Sequence, residues 1–269
     1  MALENPAFRS QAFTGNTSVA NAVSVEELQD IYNRPTAGAV ETDRMTVEDT
    51  VVKTGFAFGV LVLGAMLGWV TAPTMPAIWM IAGIIGFVLA MVNIFKKEPS
   101  PALILAYAAA QGVFVGAISF VYEVQFEGIV LQAVLATLAV VGVTLALFAS
   151  GKIRASKKAT KIFLIAMVGY LVYSVLNVIL SLTGVVSNPF GLSGMDIPGT
   201  NIPVGVVLGI LVVIMGAYSL VLDFDFIQQG VKNRAPRKYA WTGAFGIMVT
   251  VIWLYMEILR MLAILRGND

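Results

Sequence analysis

Three acidic residues lie within long apolar segments of this chain. Asp223 and Asp225 occur in the stretch VLDFDFIQQG, and Glu257 occurs in LYMEILRML. A charged side chain at the centre of a bilayer costs roughly 2.5–3.5 kcal/mol on insertion scales, so it needs a partner, a proton, a cation or a path to water. Carboxylate oxygens without nitrogen or sulfur ligands suit protons or a hard cation such as Ca²⁺. The sequence therefore predicts proton or cation handling, with Asp223 and Glu257 as the possible Ca²⁺ ligands.

Glu257 has two candidate partners. Arg260 follows three residues later on the same helix face, so an internal ion pair is one interpretation. In the other, both residues hold a second carboxylate from the preceding span. Two carboxyl groups in a low dielectric cannot both ionise, so one of them retains its proton. Because the chain has no His, such a pair is a way to build a switch that works near about pH 6–7.

Asp223 and Asp225 must point to different helix faces, because a separation of two residues rotates the side chain by about 200°. Asp225 lies closer to the basic loop that follows, where an ion pair with Lys232 or Arg234 is expected. The sequence does not decide which aspartate faces Glu257, so the candidates for pH sensing and ion gating are Asp223, Asp225, Glu257 and Arg260. Asp223 shares its face with a small, partly polar stripe suited to a bundle interior: Gly216, Ser219 and Ile227.

The elements that position these residues are membrane spans. The chain is 58% hydrophobic and 12% charged, whereas soluble domains carry about 25% charged residues. Its apolar residues form blocks long enough to cross roughly 30 Å of hydrocarbon. We therefore predict an all-α integral membrane protein, in contact with the lipid bilayer, with seven transmembrane helices at 54–72, 76–95, 101–121, 128–149, 161–182, 203–226 and 240–265.

Several functional classes are excluded by composition. The chain has no Cys and no His, which removes thiol chemistry, zinc sites and the usual general base. Its net charge of +1 does not suit nucleic-acid binding. The sequence also lacks the GxGD stretch of an intramembrane aspartyl protease. We expect neither enzymatic activity nor a bound cofactor.

The segment 1–50 is polar, with eight acidic and three basic residues. It is expected to be a mostly disordered tail with a short helix at Val25–Tyr32, leaving 51–269 as the transmembrane domain. It contains no apolar region typical of a signal peptide.

The connections between spans differ sharply in charge. Two Lys lie in 96–100, five Lys or Arg in 151–161 and four in 231–238, whereas 73–75, 122–127 and 183–202 have none. Basic residues stay in the cytoplasm, so the N-terminus is expected there, in a plasma or inner membrane. Seven spans place the C-terminus outside, with Arg266 as a mild exception. A re-entrant last segment is the competing topology.

Glycines four residues apart indicate close helix packing within the bundle, with a dimerisation surface as the alternative. These pairs are Gly55/Gly59, Gly64/Gly68, Gly112/Gly116 and Gly205/Gly209. Intramembrane amides are expected to form helix–helix hydrogen bonds: Asn93, Gln111, Gln132 and Asn177.

The chain resembles the transmembrane Bax inhibitor motif family, and within it the bacterial branch, over residues 45–266. The stretches that carry the resemblance are NPAF, MTVEDTVVKTG, AYAAAQGVFVGAIS, GKIRASKKATK, LDFDFIQQGV and FGIMVTVIWLYMEILRMLAIL. The last two are the more specific. The resemblance implies a seven-helix bundle with the C-terminal helix at its centre.

The resemblance also implies a pH-sensitive Ca²⁺ leak gated by a carboxylate pair on helices 6 and 7. Asp223 matches the helix-6 aspartate and Glu257 the helix-7 aspartate. The chain departs from the pattern in having Glu at the second position and in the 34-residue separation of the two acids. It also lacks the helix-2 arginine of some relatives, for which Arg260 is a candidate substitute.

Two other functions stay open. Some bacterial relatives are described as modulators of a membrane protease, so the acidic tail suits a non-conducting regulatory protein that binds such a partner. Buried carboxylates also serve proton relays, so a proton-coupled transporter is a third possibility. Oligomeric state and ion selectivity are not decided by the sequence.

Overall fold

The computed structural model describes residues 43–186, 188 and 190–267. The predicted helix at 25–32 and most of the predicted tail lie outside this range. The described part contains seven long helices, each apolar enough to span a membrane, and no β-strand. They are α1 (Val47–Thr71), α2 (Ile78–Phe95), α3 (Pro101–Gln125), α4 (Ile129–Ala149), α5 (Lys157–Leu182), α6 (Val204–Lys232) and α7 (Ala240–Gly267).

Several helices extend beyond the predicted spans by a turn or more because their polar ends are capped. α1 begins at Val47, where the Thr46 side chain accepts a hydrogen bond from the Asp49 amide at 3.0 Å. The last turn of α3 carries Glu123, whose carboxylate accepts from the Gly128 and Val130 amides at the start of α4. Hydropathy detects only the apolar part of such helices.

The charged connections lie together at one end of the bundle, which we call the basic side. There Lys238 forms an ion pair with Glu98 at 2.8 Å, and Arg237 forms one with Asp49 at 2.9 Å. The Met45 amide donates to the Ala235 carbonyl at 2.8 Å, which joins the residues just before α1 to the α6–α7 connection. The alternation predicted from loop charge is therefore present in the fold.

The C-terminal end of α7 lies at the opposite side. Arg266 donates to the Glu127 carbonyl, in the connection between α3 and α4, at 2.7 Å. α7 thus runs the full length of the bundle, and the competing re-entrant arrangement is not observed. It packs against α1, α3, α4 and α6. Half of its most apolar stretch is buried, a larger share than in any other described span. The C-terminal helix is therefore the centre of the bundle.

α1 and α3 approach each other through glycines, as their spacing predicts. A Cβ on Gly116 would lie 1.9 Å from the Ala65 carbonyl oxygen, and one on Gly68 would lie 2.1 Å from that of Val113. Backbones this close leave no room for a side chain. Gly55 and Gly59 differ, because a Cβ on either would meet nothing within 4 Å. Intrachain packing therefore explains the pairs Gly64/Gly68 and Gly112/Gly116 but not the pair Gly55/Gly59.

Candidate functional site

α6 and α7 are antiparallel, and small residues on α6 set their register. A Cβ on Gly216 would lie 2.8 Å from Leu254, and one on Gly209 would lie 2.8 Å from Met261. The predicted stripe on α6 therefore faces α7. Gly246 of α7 likewise faces α6, since a Cβ on this residue would lie 3.0 Å from an Asp223 carboxylate oxygen.

Asp223 lies on this face and is hydrogen-bonded to α7. The Thr250 hydroxyl donates to Asp223 Oδ2 at 2.7 Å, and Ser219 Oγ lies 3.3 Å from the same hydroxyl oxygen. The Asp223 side chain points toward the N-terminus of α6, as helical side chains do, which brings it to Thr250. The result is a small polar site with one carboxylate and two hydroxyls, nearer the basic side.

Glu257 forms a second polar site with Arg260. Arg260 donates to Glu257 Oε2 at 2.7 Å, and only 11% of the Glu257 side chain is exposed. The Tyr170 hydroxyl of α5 donates to Glu257 Oε1 and accepts from Arg260 at 3.0 Å. The internal ion pair, one of the two interpretations of the sequence, is thus present and is bridged by a tyrosine from another helix.

The second polar site continues into the connection between α5 and α6. Arg260 also donates to Ser193 Oγ at 3.2 Å, and that oxygen lies 2.8 Å from the Tyr173 hydroxyl. Ser193 is fully buried in a short 3-10 helix, Gly191–Gly194. The Leu192 amide of this turn donates to Asn177 Oδ1 at 2.6 Å. Asn177 thus bonds to this connection rather than to another transmembrane helix, whereas Asn93 forms the expected helix–helix hydrogen bond by donating to the Leu103 carbonyl of α3.

The register keeps the two carboxylates apart. Gly216 faces Leu254, so Asp223 is level with a residue near position 247 of α7. Glu257 lies ten residues further along, which is roughly 15 Å of helix. Thr250 and Glu257 are seven residues apart and so share one face of α7. Asp223 and Glu257 therefore occupy two depths on the same face, each with its own partners, and Leu254 lies between them with no exposed surface.

Asp225 points away from this face, as the 200° rotation requires. It accepts a hydrogen bond from Gln229 on the next turn of α6 at 2.5 Å. Among the described contacts, this amide takes the place of the expected ion pair with Lys232 or Arg234. A neighbour one turn away on the same helix is closer to Asp225 than the loop cations are.

Sequence reasoning placed Ser219 on the face of Asp223 but did not identify the hydroxyls of Thr250 and Tyr170. Thr250 and Tyr170 carry no charge, so they give no signal in an apolar span. The seven-residue interval from Thr250 to Glu257 is the one pattern that indicates a shared polar face. Tyr170 comes from a helix distant in sequence, and its position depends on tertiary packing.

No group of three or more acidic residues able to hold a metal ion occurs in the described part of the chain. The Asp223 site offers one carboxylate and two hydroxyl groups, whereas the Glu257 carboxylate is already paired with Arg260. Neither site provides the 6–8 oxygen ligands of a tight Ca²⁺ site.

The fold and the site together define a multi-pass membrane protein with ionisable groups at two depths beside its central helix. A family model described as "Bax inhibitor 1 like" matches residues 5–267. The chain therefore belongs to the Bax inhibitor 1 like family. No curated protein matches the chain.

Proposed function

We propose that this protein is a pH-sensitive cation leak that carries Ca²⁺ along the face of α7 where Asp223 and Glu257 lie. The observation that supports it is the placement of two carboxylates at two depths on one face of the central helix. Ionisable groups inside a membrane mark ion or proton pathways more often than they serve packing alone.

The segment between the two carboxylates would be the barrier. Leu254 packs against Gly216 there and is fully buried. Apolar constrictions close channels by excluding water. A cation would leave one carboxylate, cross this apolar contact and reach the other. Replacing Leu254 with Ala is therefore expected to increase the basal leak at every pH.

Protonation of Glu257 would release the barrier. The Glu257 carboxylate accepts hydrogen bonds from both Arg260 and Tyr170. When the carboxylate gains a proton, its ion pair with Arg260 is lost and the hydrogen bond that it accepts from Tyr170 weakens. Because α5 has no buried residue, loss of the Tyr170 contact would let α5 move away from α7. The leak is therefore expected to rise as the pH falls, through a local charge change that shifts a two-state helix arrangement.

The proposed orientation follows from loop charge. The Lys- and Arg-rich connections lie on the basic side with the start of α1, so this side is assigned to the cytoplasm of an inner or plasma membrane. Asp223 would then be the carboxylate nearer the cytoplasm, and Glu257 the one nearer the opposite side.

The test is Ca²⁺ flux into proteoliposomes between about pH 5 and 8, comparing the wild type with Asp223→Asn and Glu257→Gln. Glu257→Gln cannot ionise, so it should leak at all pH values. Asp223→Asn should leak less than the wild type and retain a pH response through Glu257. Asp225→Asn is the matched control, because Asp225 lies off this face, and it should behave as the wild type does.

Flux no greater than that of empty liposomes at any pH would contradict the leak. The non-conducting alternative, a regulatory protein that binds a membrane protease or another partner, would then be favoured. Deleting residues 1–42 would test it, because that truncation keeps the Met45–Ala235 hydrogen bond. Loss of a partner with the transmembrane domain still folded would support it.

A further inference from the structure

A groove opens on the side of α7 away from Asp223 and Glu257. It lies between α1 and α4, its floor is formed by α3 and α7, and its volume is about 490 Å³. Met66 of α1 and Leu138 of α4 form its rim and are 60% and 61% exposed. In a chain that spans a bilayer, the groove therefore opens sideways into hydrocarbon.

The chemistry of the groove excludes a polar occupant. Its walls are almost wholly apolar. The two hydroxyls at its floor, Ser119 and Tyr255, are 2.6 Å apart and hydrogen-bond to each other, which uses one of the two O–H groups within the pair. Water in a cavity needs two to four polar partners, and cavities with apolar walls stay dry. Hydrocarbon is the one component of a bilayer that such walls favour.

The dimensions of the groove match one acyl chain. Along α1 it extends from Phe58 to Val70, twelve residues or roughly 18 Å of helix. One leaflet of a bilayer provides about 15 Å of hydrocarbon. Trp69 lies two residues before the end of α1, on the side opposite the basic side, and tryptophan is typical of the membrane–water interface. The groove therefore begins at the interface of that leaflet and ends near the middle of the bilayer.

A helix from a second copy of the chain would not fit. The volume divided by the length gives a mean cross-section of about 27 Å², or about 60 Å² once the roughly 1.4 Å radius of a water molecule is added on each side. A helix with side chains is about 10 Å wide, which corresponds to roughly 80 Å². The groove is therefore narrower than a helix with its side chains, whereas an acyl chain is thinner than the groove.

We propose that this lateral groove binds one acyl chain of a phospholipid from the leaflet opposite the basic side. The bound chain fills the space between α1 and α4 and completes the packing around the central helix. This proposal does not depend on the leak, because the groove and the two carboxylates lie against different faces of α7.

Tryptophan quenching by brominated lipid tests the proposal. A Trp69-only protein is made by changing Trp79, Trp241 and Trp253 to Phe, and it is reconstituted in vesicles of dibrominated phosphatidylcholine. It is then diluted into excess unbrominated detergent. We expect Trp69 to stay quenched, because its lipid is retained. A Trp79-only protein is the matched control, since Trp79 is 38% exposed on α2 outside the groove, and its emission should recover at once.

Substitutions at two neighbouring positions on α4 provide a second test of the proposal. Val134 lines the groove, whereas Leu135 is exposed beside it. Val134→Phe in the Trp69-only protein should abolish the retained quenching, and Leu135→Phe should preserve it. Leu138→Phe serves as the groove variant should Val134→Phe fail to elute as a single species. The proposal would be overturned if the Trp69 emission recovered at the same rate as the Trp79 emission. Equal quenching in the Val134→Phe and Leu135→Phe variants would also overturn it.

Discussion

The α1–α3 pair and α5 show two different ways of joining a helix to this bundle. α1 and α3 meet backbone to backbone, with Gly68 and Gly116 pressed against carbonyl groups of the other helix. No residue of α5 is buried, and its described links to α6 and α7 are aromatic contacts and side-chain hydrogen bonds, among them that of Tyr170. The difference indicates a rigid wall on one side of α7 and an adjustable one on the other, where the carboxylates lie.

The largest expected effect comes from adding a side chain where the backbones of α1 and α3 are in contact. Gly116→Val places a side chain where a single Cβ would already lie 1.9 Å from the Ala65 carbonyl oxygen. Backbone cannot yield as a flexible side chain can, so the loss should exceed the 1–3 kcal/mol that is typical of overpacking. We expect no monodisperse protein after extraction, as measured by size-exclusion chromatography.

Gly59→Ala is the control for this prediction. It lies on α1 like Gly68, but its Cβ would meet nothing within 4 Å. Alanine is favoured over glycine in a helix by roughly 0.5–1 kcal/mol, so this variant should be as stable as the wild type or slightly more stable. A folded Gly116→Val protein would show that the α1–α3 contact is not rigid.

The second-largest effect is expected from breaking the Glu257–Arg260 ion pair, on the side of α7 that faces α5. Arg260→Met leaves Glu257 without its cation in a buried site. Breaking a buried pair costs about 3–5 kcal/mol, and less is expected here because 24% of the Arg260 side chain is exposed. Thermal unfolding at neutral pH measures the loss.

A double variant distinguishes charge from packing. Glu257→Gln combined with Arg260→Met removes both charges, so it should be more stable than Arg260→Met alone. Equal stability of the two proteins would show that Arg260 acts through packing alone.

Much of this architecture could be predicted from the sequence, since it depends on patterns within single helices. Loop charge predicted the basic side, and the stripe of Gly216 and Ser219 predicted the α6 face toward α7. The separation of Asp223 from Glu257 could not be predicted, because it depends on the register of two helices. That register is determined by contacts such as Gly209 with Met261, which no spacing within one helix reveals.

A smaller effect is expected from the tyrosine that joins α5 to the site. Tyr170→Phe keeps the ring and its contact with Trp253 but removes the hydroxyl that bridges Glu257 and Arg260. The cost should be about 1.5–3 kcal/mol, the range of a hydrogen bond to charged groups. Amide hydrogen exchange within α5 should accelerate, while exchange in α1 and α3 should not change.

Tyr173→Phe provides the matched control on the same helix. Its hydroxyl contacts Ser193, which accepts from Arg260, and does not contact Glu257 directly. This variant should therefore change the pH response of the leak less than Tyr170→Phe does. An identical pH response in Tyr170→Phe and the wild type would mean that α5 is not linked to Glu257 in the way proposed.

The smallest effect is expected at the basic side, where Glu98 and Lys238 join the α2–α3 connection to the start of the central helix. The hydrogen bond from Lys238 lowers the pKa of the Glu98 carboxyl below 4.5, its ordinary value. A lowered pKa gives a stabilising contribution that is present above 4.5 and disappears as the pH falls through the folded-state pKa. Both side chains are exposed, and exposed pairs contribute little. Glu98→Gln should therefore unfold at the wild-type temperature near neutral pH, and the two unfolding curves should also coincide in acid. A loss at neutral pH as large as that of Tyr170→Phe would show that the junction on the basic side, rather than α5, is the weaker attachment to α7.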